Sequence, residues 1–309
     1  MTRRVASIFR SNAAILEALE DHGYGRRARL LAQGDSWFAF PLPLLAGTRN
    51  VIDAISTRKR TVAIDLSAIG DTAENMAQGD RYAQMRTILA GGDGEDPIRV
   101  AVILLSAGGN DLIDRIGDLV GTITRAVKRE TRAPRAPAAA ARVLAEAHRQ
   151  VLAALQSRAA SDIYDDVIAH LGTLIDARDG GPSAKAPVVL HGYCHVTPRD
   201  APAIDFPIRI GPWIWKKLAP LGYTQAQQQE IARNVIDEFN RRLGLLRDGA
   251  RGIHVLDVRP LQADGTLPMA QPADLEPTRW WHDEIHLNSA GWELVARRLF
   301  DPLLDELLE

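Results

Sequence analysis

The chain has 309 residues, 46% of them hydrophobic, and a formal net charge of −2. That length and apolar share suffice for one α/β domain with a core of its own, and mixed charges near neutrality exclude the basic footprint of a nucleic-acid-binding protein. The single cysteine, Cys194, excludes an internal disulfide and a multi-cysteine zinc site, and it fits a reducing compartment.

At the start, Met1-Thr2-Arg3-Arg4 is basic. The following stretch is broken by Arg10, Ser11 and Asn12, then by Glu17, Glu20 and Asp21. A secretory signal would need an uninterrupted apolar run there, so none is expected and the expected location is cytoplasmic. The spacing of Ile15, Leu16 and Leu19 predicts a short amphipathic helix. No apolar stretch approaches the ~20 residues of a membrane span, so none is expected.

Five apolar, β-branched runs then read as buried parallel strands: Ala28–Gln33, Thr61–Leu66, Arg99–Leu105, Pro187–Tyr193 and Ile253–Val258. Helical patterns separate them, which predicts an α/β fold with a parallel sheet of about five strands and helices on both faces. Sites in such sheets form beyond the carboxyl ends of the strands. The first three runs end at Gly34-Asp35-Ser36, Ser67-Ala68-Ile69-Gly70 and Ser106–Asp111, so these turns converge on one edge. Two segments within a single domain spanning 1–309 read as insertions over that edge, at 115–160 and 196–223. They are expected as a lid, a pocket wall or ordinary loop packing. The first leads into an alanine-rich helix, Ala138–Ala159; the second is rich in proline, contains Trp213-Ile214-Trp215 and precedes a long amphipathic helix to about Leu246.

Ser36 is the candidate nucleophile, and a hydroxyl needs a base to remove its proton. Gly34 is expected to permit a tight turn there, and Asp35 to start a helix or turn. His286 is the candidate base. Asp283, three residues earlier, is placed to orient the imidazole from the same loop and to stabilise the imidazolium. Asn288 or Ser289 then caps a final helix. Gly70, through a backbone N–H with no side chain in the way, and Asn110, through its amide after Gly108-Gly109, are candidate oxyanion donors. Asn110-Asp111 also reads as a helix cap.

His282 and His286 stand four apart, the ligand spacing of a zinc helix. Yet aspartate rather than glutamate follows His282, and the cap starts the helix after His286, so the expectation is no metal and a structural or pocket-edge role for His282. Trp37, Trp213, Trp215, Trp280 and Trp281 are candidates for an apolar acyl or aromatic-ester pocket, or for the core. His195 is a candidate substrate contact or a satisfied structural histidine, and Cys194 a buried small residue.

These residues resemble the SGNH/GDSL hydrolase superfamily, whose four blocks centre on Ser, Gly, Asn and His. Ser36 in Gly34-Asp35-Ser36, Gly70, Asn110 in Gly108-Gly109-Asn110-Asp111, and Asp283 with His286 stand in the family's order from residue 34 to 286. The resemblance implies a three-layer α/β/α sandwich with flavodoxin-like strand order. It also implies a serine acyl-enzyme, and an oxyanion hole built from the Ser36 N–H, the Gly70 N–H and the Asn110 amide. Trp37 stands where the name-giving motif has leucine, which alters the neighbouring wall and leaves Ser36 intact. No Gly-x-Ser-x-Gly elbow occurs, against the unrelated α/β-hydrolase fold.

The expected protein is therefore a serine esterase without cofactor or metal, acting on a small-molecule or lipid ester. The alternatives are an acyltransferase with the same triad, a non-catalytic ligand-binding protein, and a metallohydrolase on His282 and His286.

Overall fold

Val102, Ile103 and Leu104 have no exposed surface, and Leu30 and Leu31 beside them have none either. Strands this apolar on both faces are stable only with helices covering each side, and the chain supplies them. The computed structural model describes residues 3–10, 26–40, 49–91, 97–131, 136–205 and 207–309. The short helix expected around Ile15, Leu16 and Leu19 lies outside these residues.

Six parallel strands make the central sheet: β1 (Ser7–Phe9), β2 (Ala28–Gly34), β3 (Thr61–Asp65), β4 (Val102–Ser106), β5 (Val188–His191) and β6 (Ile253–Leu256). Their spatial order is β1-β3-β2-β4-β5-β6. Without β1 this is the flavodoxin-like order, with the switch point between β2 and β4. The five expected runs all form strands, shorter by one to three residues at some ends. The sixth, β1, is only three half-buried residues alongside Val62–Ile64 of β3. A separate antiparallel pair joins Arg4–Val5 to Ser56–Thr57.

The helices that matter below are α1 (Ser36–Ala39), α2 (Val51–Ala54), α3 (Ala73–Gln78), α4 (Gly117–Glu130), α5 (Pro137–Leu155), α6 (Arg158–Ala177), α7 (Gln225–Gly244) and α8 (Ser289–Val295). Helix α2 packs with α8 on one side of the sheet, while α3, α6 and α7 pack together on the other. The result is a three-layer α/β/α sandwich. The expected helix over Ala138–Ala159 is two helices, because the chain turns at Gln156-Ser157. Helix α7 starts on a reciprocal cap: Thr224 accepts from the Gln227 N–H, and Gln227 accepts from the Thr224 N–H.

Register brings the site together. Gly34, the last residue of β2, lies opposite Ser106, the last of β4. A Cβ on Gly34 would come within 2.7 Å of the Phe38 ring and 2.8 Å of the Ser106 Cβ. Glycine is required here by close approach of strand and helix rather than by the expected tight turn, since its φ is not positive. Upstream in the same two strands, Leu31 and Leu104 are fully buried, and truncation of either to alanine would cost about 2–5 kcal/mol.

Candidate active site

Asp35 follows β2 and caps α1, accepting the Trp37 N–H at 3.0 Å. Ser36 is thereby the first residue of a helix, where backbone N–H groups have no partner within the helix. Among the described residues no acceptor takes the Ser36 N–H. The Asp35 carboxylate also accepts the Ser106 hydroxyl at 2.7 Å and the Tyr193 hydroxyl. Burial raises the Asp35 pKa above its ordinary value, with these three donors opposing the rise only in part. All three donate, so the ionised form is the one that satisfies them.

The Ser36 Oγ lies 2.7 Å from His286 Nε2, and His286 Nδ1 lies 2.7 Å from Asp283 Oδ2. With Nδ1–H donating to the carboxylate, Nε2 is left to accept from the serine hydroxyl. The spacing of three residues has a local cause. Asp283 Oδ1 accepts the N–H groups of Ile285 and His286, both at 2.8 Å, and so folds its own turn, while Oδ2 orients the ring. The turn closes on itself through a bridge between Trp281 and Leu287. Asn288, not Ser289, caps α8, accepting from Gly291. His282 and His286 consequently do not share a helical face, and His282 Nε2 lies 3.2 Å from the Ala203 carbonyl. No group of histidine, cysteine, aspartate and glutamate among the described residues is arranged to hold a metal ion.

Two aromatic rings hold the imidazole. Phe40, just past α1, stacks on His286 at 4.3 Å with an interplanar angle of 4°, and Trp213 meets its edge at 5.0 Å. The segment that carries Ser36 therefore packs against His286.

Asn110 and Gly70 sit on adjacent turns. Gly108 has φ +107, and a Cβ there would come within 3 Å of Phe239 and Val167, so only glycine makes this bend. The Asn110 Nδ2 donates to the Asp71 carbonyl at 2.9 Å, leaving its second hydrogen free for another acceptor. Asp111 does not cap its own helix as expected. Gly108 stands at that cap position, and Asp111 accepts the Ala73 N–H that opens α3, at 2.9 Å. Gly70 has φ +82, is exposed, and has no recorded acceptor for its N–H among the described residues. It lies outside the cavity described next.

An apolar cavity opens beside Ser36, with about 850 Å³ of empty space, open solvent at its mouth included. Ser36, Trp37 and Asn110 are on its wall, together with Ile116, Val120 and Val235. Both segments expected as insertions contribute to it, the first through Ile116 and Val120, the second through Val196, Ile214 and Leu218. Of the five tryptophans weighed for the pocket, only Trp37 lines it. Trp213 touches His286 instead. Trp281 corrects the expectation: it is 1% exposed, with its indole N–H on the Pro268 carbonyl, because its place in the Trp281–Leu287 bridge turns it into the core. Cys194 is on the wall and buried, its thiol pushed up to about 12 by burial. His195 is not on the wall; its Nε2 pairs with Asp237 at 2.7 Å.

Three contributors escape sequence reasoning. Tyr193 bridges Asp35 and the Gly109 N–H, joining the nucleophile turn to the Asn110 turn. Glu284, fully buried next to Asp283, accepts the N–H groups of Trp213, Ile214 and Trp215 at 2.6–2.8 Å and that of Arg199 at 3.3 Å. Burial nevertheless pushes its carboxyl up to about 7. Arg199, 1% exposed, donates to the Asp283 and Asp274 carbonyls. The only sequence signal was the acidic residue inside the Asp283–His286 turn, which has no local reason to be there.

No protein-family model and no curated protein matches the chain. Among solved structures it is similar to a gut microbial diltiazem-metabolizing enzyme, at 12% identity and a TM-score of 0.36, over 91% of this chain and 47% of that one. The chain spans about half the length of that protein. No helix among the described residues is long and apolar enough to cross a membrane.

Proposed function

We infer that the chain is a serine hydrolase of carboxylic esters, in keeping with its resemblance to the SGNH/GDSL superfamily. One observation carries the reading: Ser36 Oγ, His286 and Asp283 form an unbroken line of 2.7 Å hydrogen bonds beside an apolar cavity. His286 Nε2 takes the Ser36 proton as Oγ attacks the ester carbonyl. Asp283 holds the ring in the tautomer that can do so and stabilises the imidazolium. The oxyanion is received by the unpartnered Ser36 N–H and the free hydrogen of Asn110, with the Gly70 N–H the third candidate donor. The carbon–oxygen bond to the alcohol breaks, and the alcohol leaves with the proton from His286. Water then attacks the acyl-enzyme by the reverse proton path and releases the acid.

The test is turnover of p-nitrophenyl esters and labelling by a fluorophosphonate, in wild type and Ser36→Ala. Both activities are expected in wild type and neither in the variant. Turnover that persists in Ser36→Ala would remove Ser36 from the mechanism.

A further inference from the structure

The cavity has a side, and that side assigns the part of the ester it holds. Ser36 and Asn110 are on its wall, whereas His286, Phe40 and Trp213 are not. The leaving alcohol must take its proton from His286 Nε2, so it departs on the face where Phe40 and Trp213 frame the imidazole. The acyl group extends the other way from the reacting carbon, past Asn110 and into the cavity.

The walls specify the acyl group's chemistry. Apart from Ser36, Asn110 and their neighbours they are built from Ile116 and Val120, from Val235 and its neighbours on α7, and from Ile214 and Leu218. Apart from Asp35, Ser36, Asn110 and Tyr193, the described residues of the wall offer no ring of polar groups to hold sugar hydroxyls. Among the described residues the one ammonium on the wall, Lys217, is already engaged by Asp114 at 2.9 Å and Asp118 at 3.6 Å, so its charge does not call for an anionic ligand. Twelve of the residues that line it are aliphatic, more than an acetyl group could touch. The wall is also fixed: buried Glu284 binds three consecutive N–H groups of the Trp213–Trp215 segment.

We propose that the cavity is an acyl-chain site, and that the substrates are esters of uncharged aliphatic acids longer than acetate. This rests on the serine hydrolase reading above. Each methylene that enters the cavity leaves water, and is worth about three- to fourfold in kcat/KM until the space is filled.

Two ester series test it with wild-type enzyme. One varies the acyl chain from acetate to laurate on p-nitrophenol; the other varies the alkyl alcohol of an acetate ester from ethyl to dodecyl. The expected result is a kcat/KM that climbs by two orders of magnitude or more along the first series and stays nearly level along the second. Ala232 lies on the cavity wall within α7, and Ala232→Leu is expected to move the optimum to shorter acyl chains. Should that variant not fold, the wild-type profiles decide alone. A level acyl series, or a rise along the alcohol series only, overturns the acyl-site assignment while Ser36-dependent acetate turnover leaves the hydrolase standing. Absence of any Ser36-dependent turnover or labelling removes both.

Discussion

The Tyr193 hydroxyl donates to the Asp35 carboxylate and accepts the Gly109 N–H, so one phenol ties the Ser36 turn to the Asn110 turn. Burial and the neighbouring Asp35 charge raise the Tyr193 pKa well above its ordinary value, which keeps the proton in place as a donor. Tyr193→Phe retains the ring contacts with Trp37 and Phe239 and removes only this link. It leaves a buried carboxylate oxygen and a half-buried N–H unpaired, for a stability loss of about 1–3 kcal/mol. Because Ser36 and Asn110 lose their common anchor, kcat is expected to fall on the order of 10- to 100-fold with little change in KM. Urea denaturation and steady-state kinetics together check this, and an unchanged kcat in a less stable variant would confine Tyr193 to a structural role.

Asp283 does two things with two oxygens, and substitution separates them. In Asp283→Asn one side-chain oxygen survives to fold the turn through the Ile285 and His286 N–H groups. The amide nitrogen then faces His286 Nδ1 and forces the tautomer whose Nε2 bears hydrogen. That nitrogen can no longer accept from Ser36. The kcat is expected to fall on the order of 10⁴-fold at neutral pH. Asp283→Ala should lose the turn as well, adding a shift in the urea midpoint that the asparagine variant does not show. Equal kcat in wild type and Asp283→Asn would mean that the carboxylate does not set the tautomer.

The strand runs and the pairing of Asp283 with His286 were legible because each is written locally. Leu30-Leu31-Ala32 and Val102–Leu105 are apolar at every position, which only doubly covered strands require, and Asp283 sits at the offset from His286 that one turn can close. β1 was hidden because three half-buried residues carry no period, and its partner Val62–Ile64 is more than fifty residues away. Trp281 looked like a pocket residue by its nearness to Asp283, but the bridge to Leu287 turns its ring inward, and chain proximity says nothing about direction. Glu284 and Tyr193 draw their roles from partners roughly 70 and 160 residues distant, so no window of sequence displays them.

Glu284 gives stability a pH dependence. Its carboxyl is raised from 4.5 to about 7 in the folded chain, first by burial, with the N–H groups of Ile214, Trp215, Trp213 and Arg199 opposing. A raised folded-state pKa means that the unfolded chain releases this proton at lower pH. The contribution is therefore fully present below about 4.5 and is lost as pH rises through about 7. Urea midpoints across that window are expected to fall for wild type relative to Glu284→Gln, whose side chain does not titrate. The difference between the two proteins isolates this group from Asp301, which burial raises to about 6 and which shifts in the same sense. Parallel pH profiles for the two proteins would show that Glu284 does not titrate in this range.

Asn110 presents the sharpest division between holding and catalysing. One amide hydrogen is spent on the Asp71 carbonyl, which keeps the Gly70 turn beside the Asn110 turn, and the other is free on the cavity side. Asn110→Ala removes both, but they act at different stages. The tie to Asp71 is made in every state of the protein, so its loss lowers stability by about 0.5–1.5 kcal/mol. The free hydrogen matters only once negative charge develops on the carbonyl oxygen, so its loss is felt in kcat, by about 100- to 1,000-fold, and hardly in KM. Asn110→Asp supplies the counter-test: it keeps the size of the side chain but places an acceptor where the oxyanion forms, and should be at least as slow as alanine. If Asn110→Ala lost less than tenfold in kcat, the oxyanion would have to be held by the Ser36 N–H together with Gly70, and Asn110 would be left as the latch between the two turns.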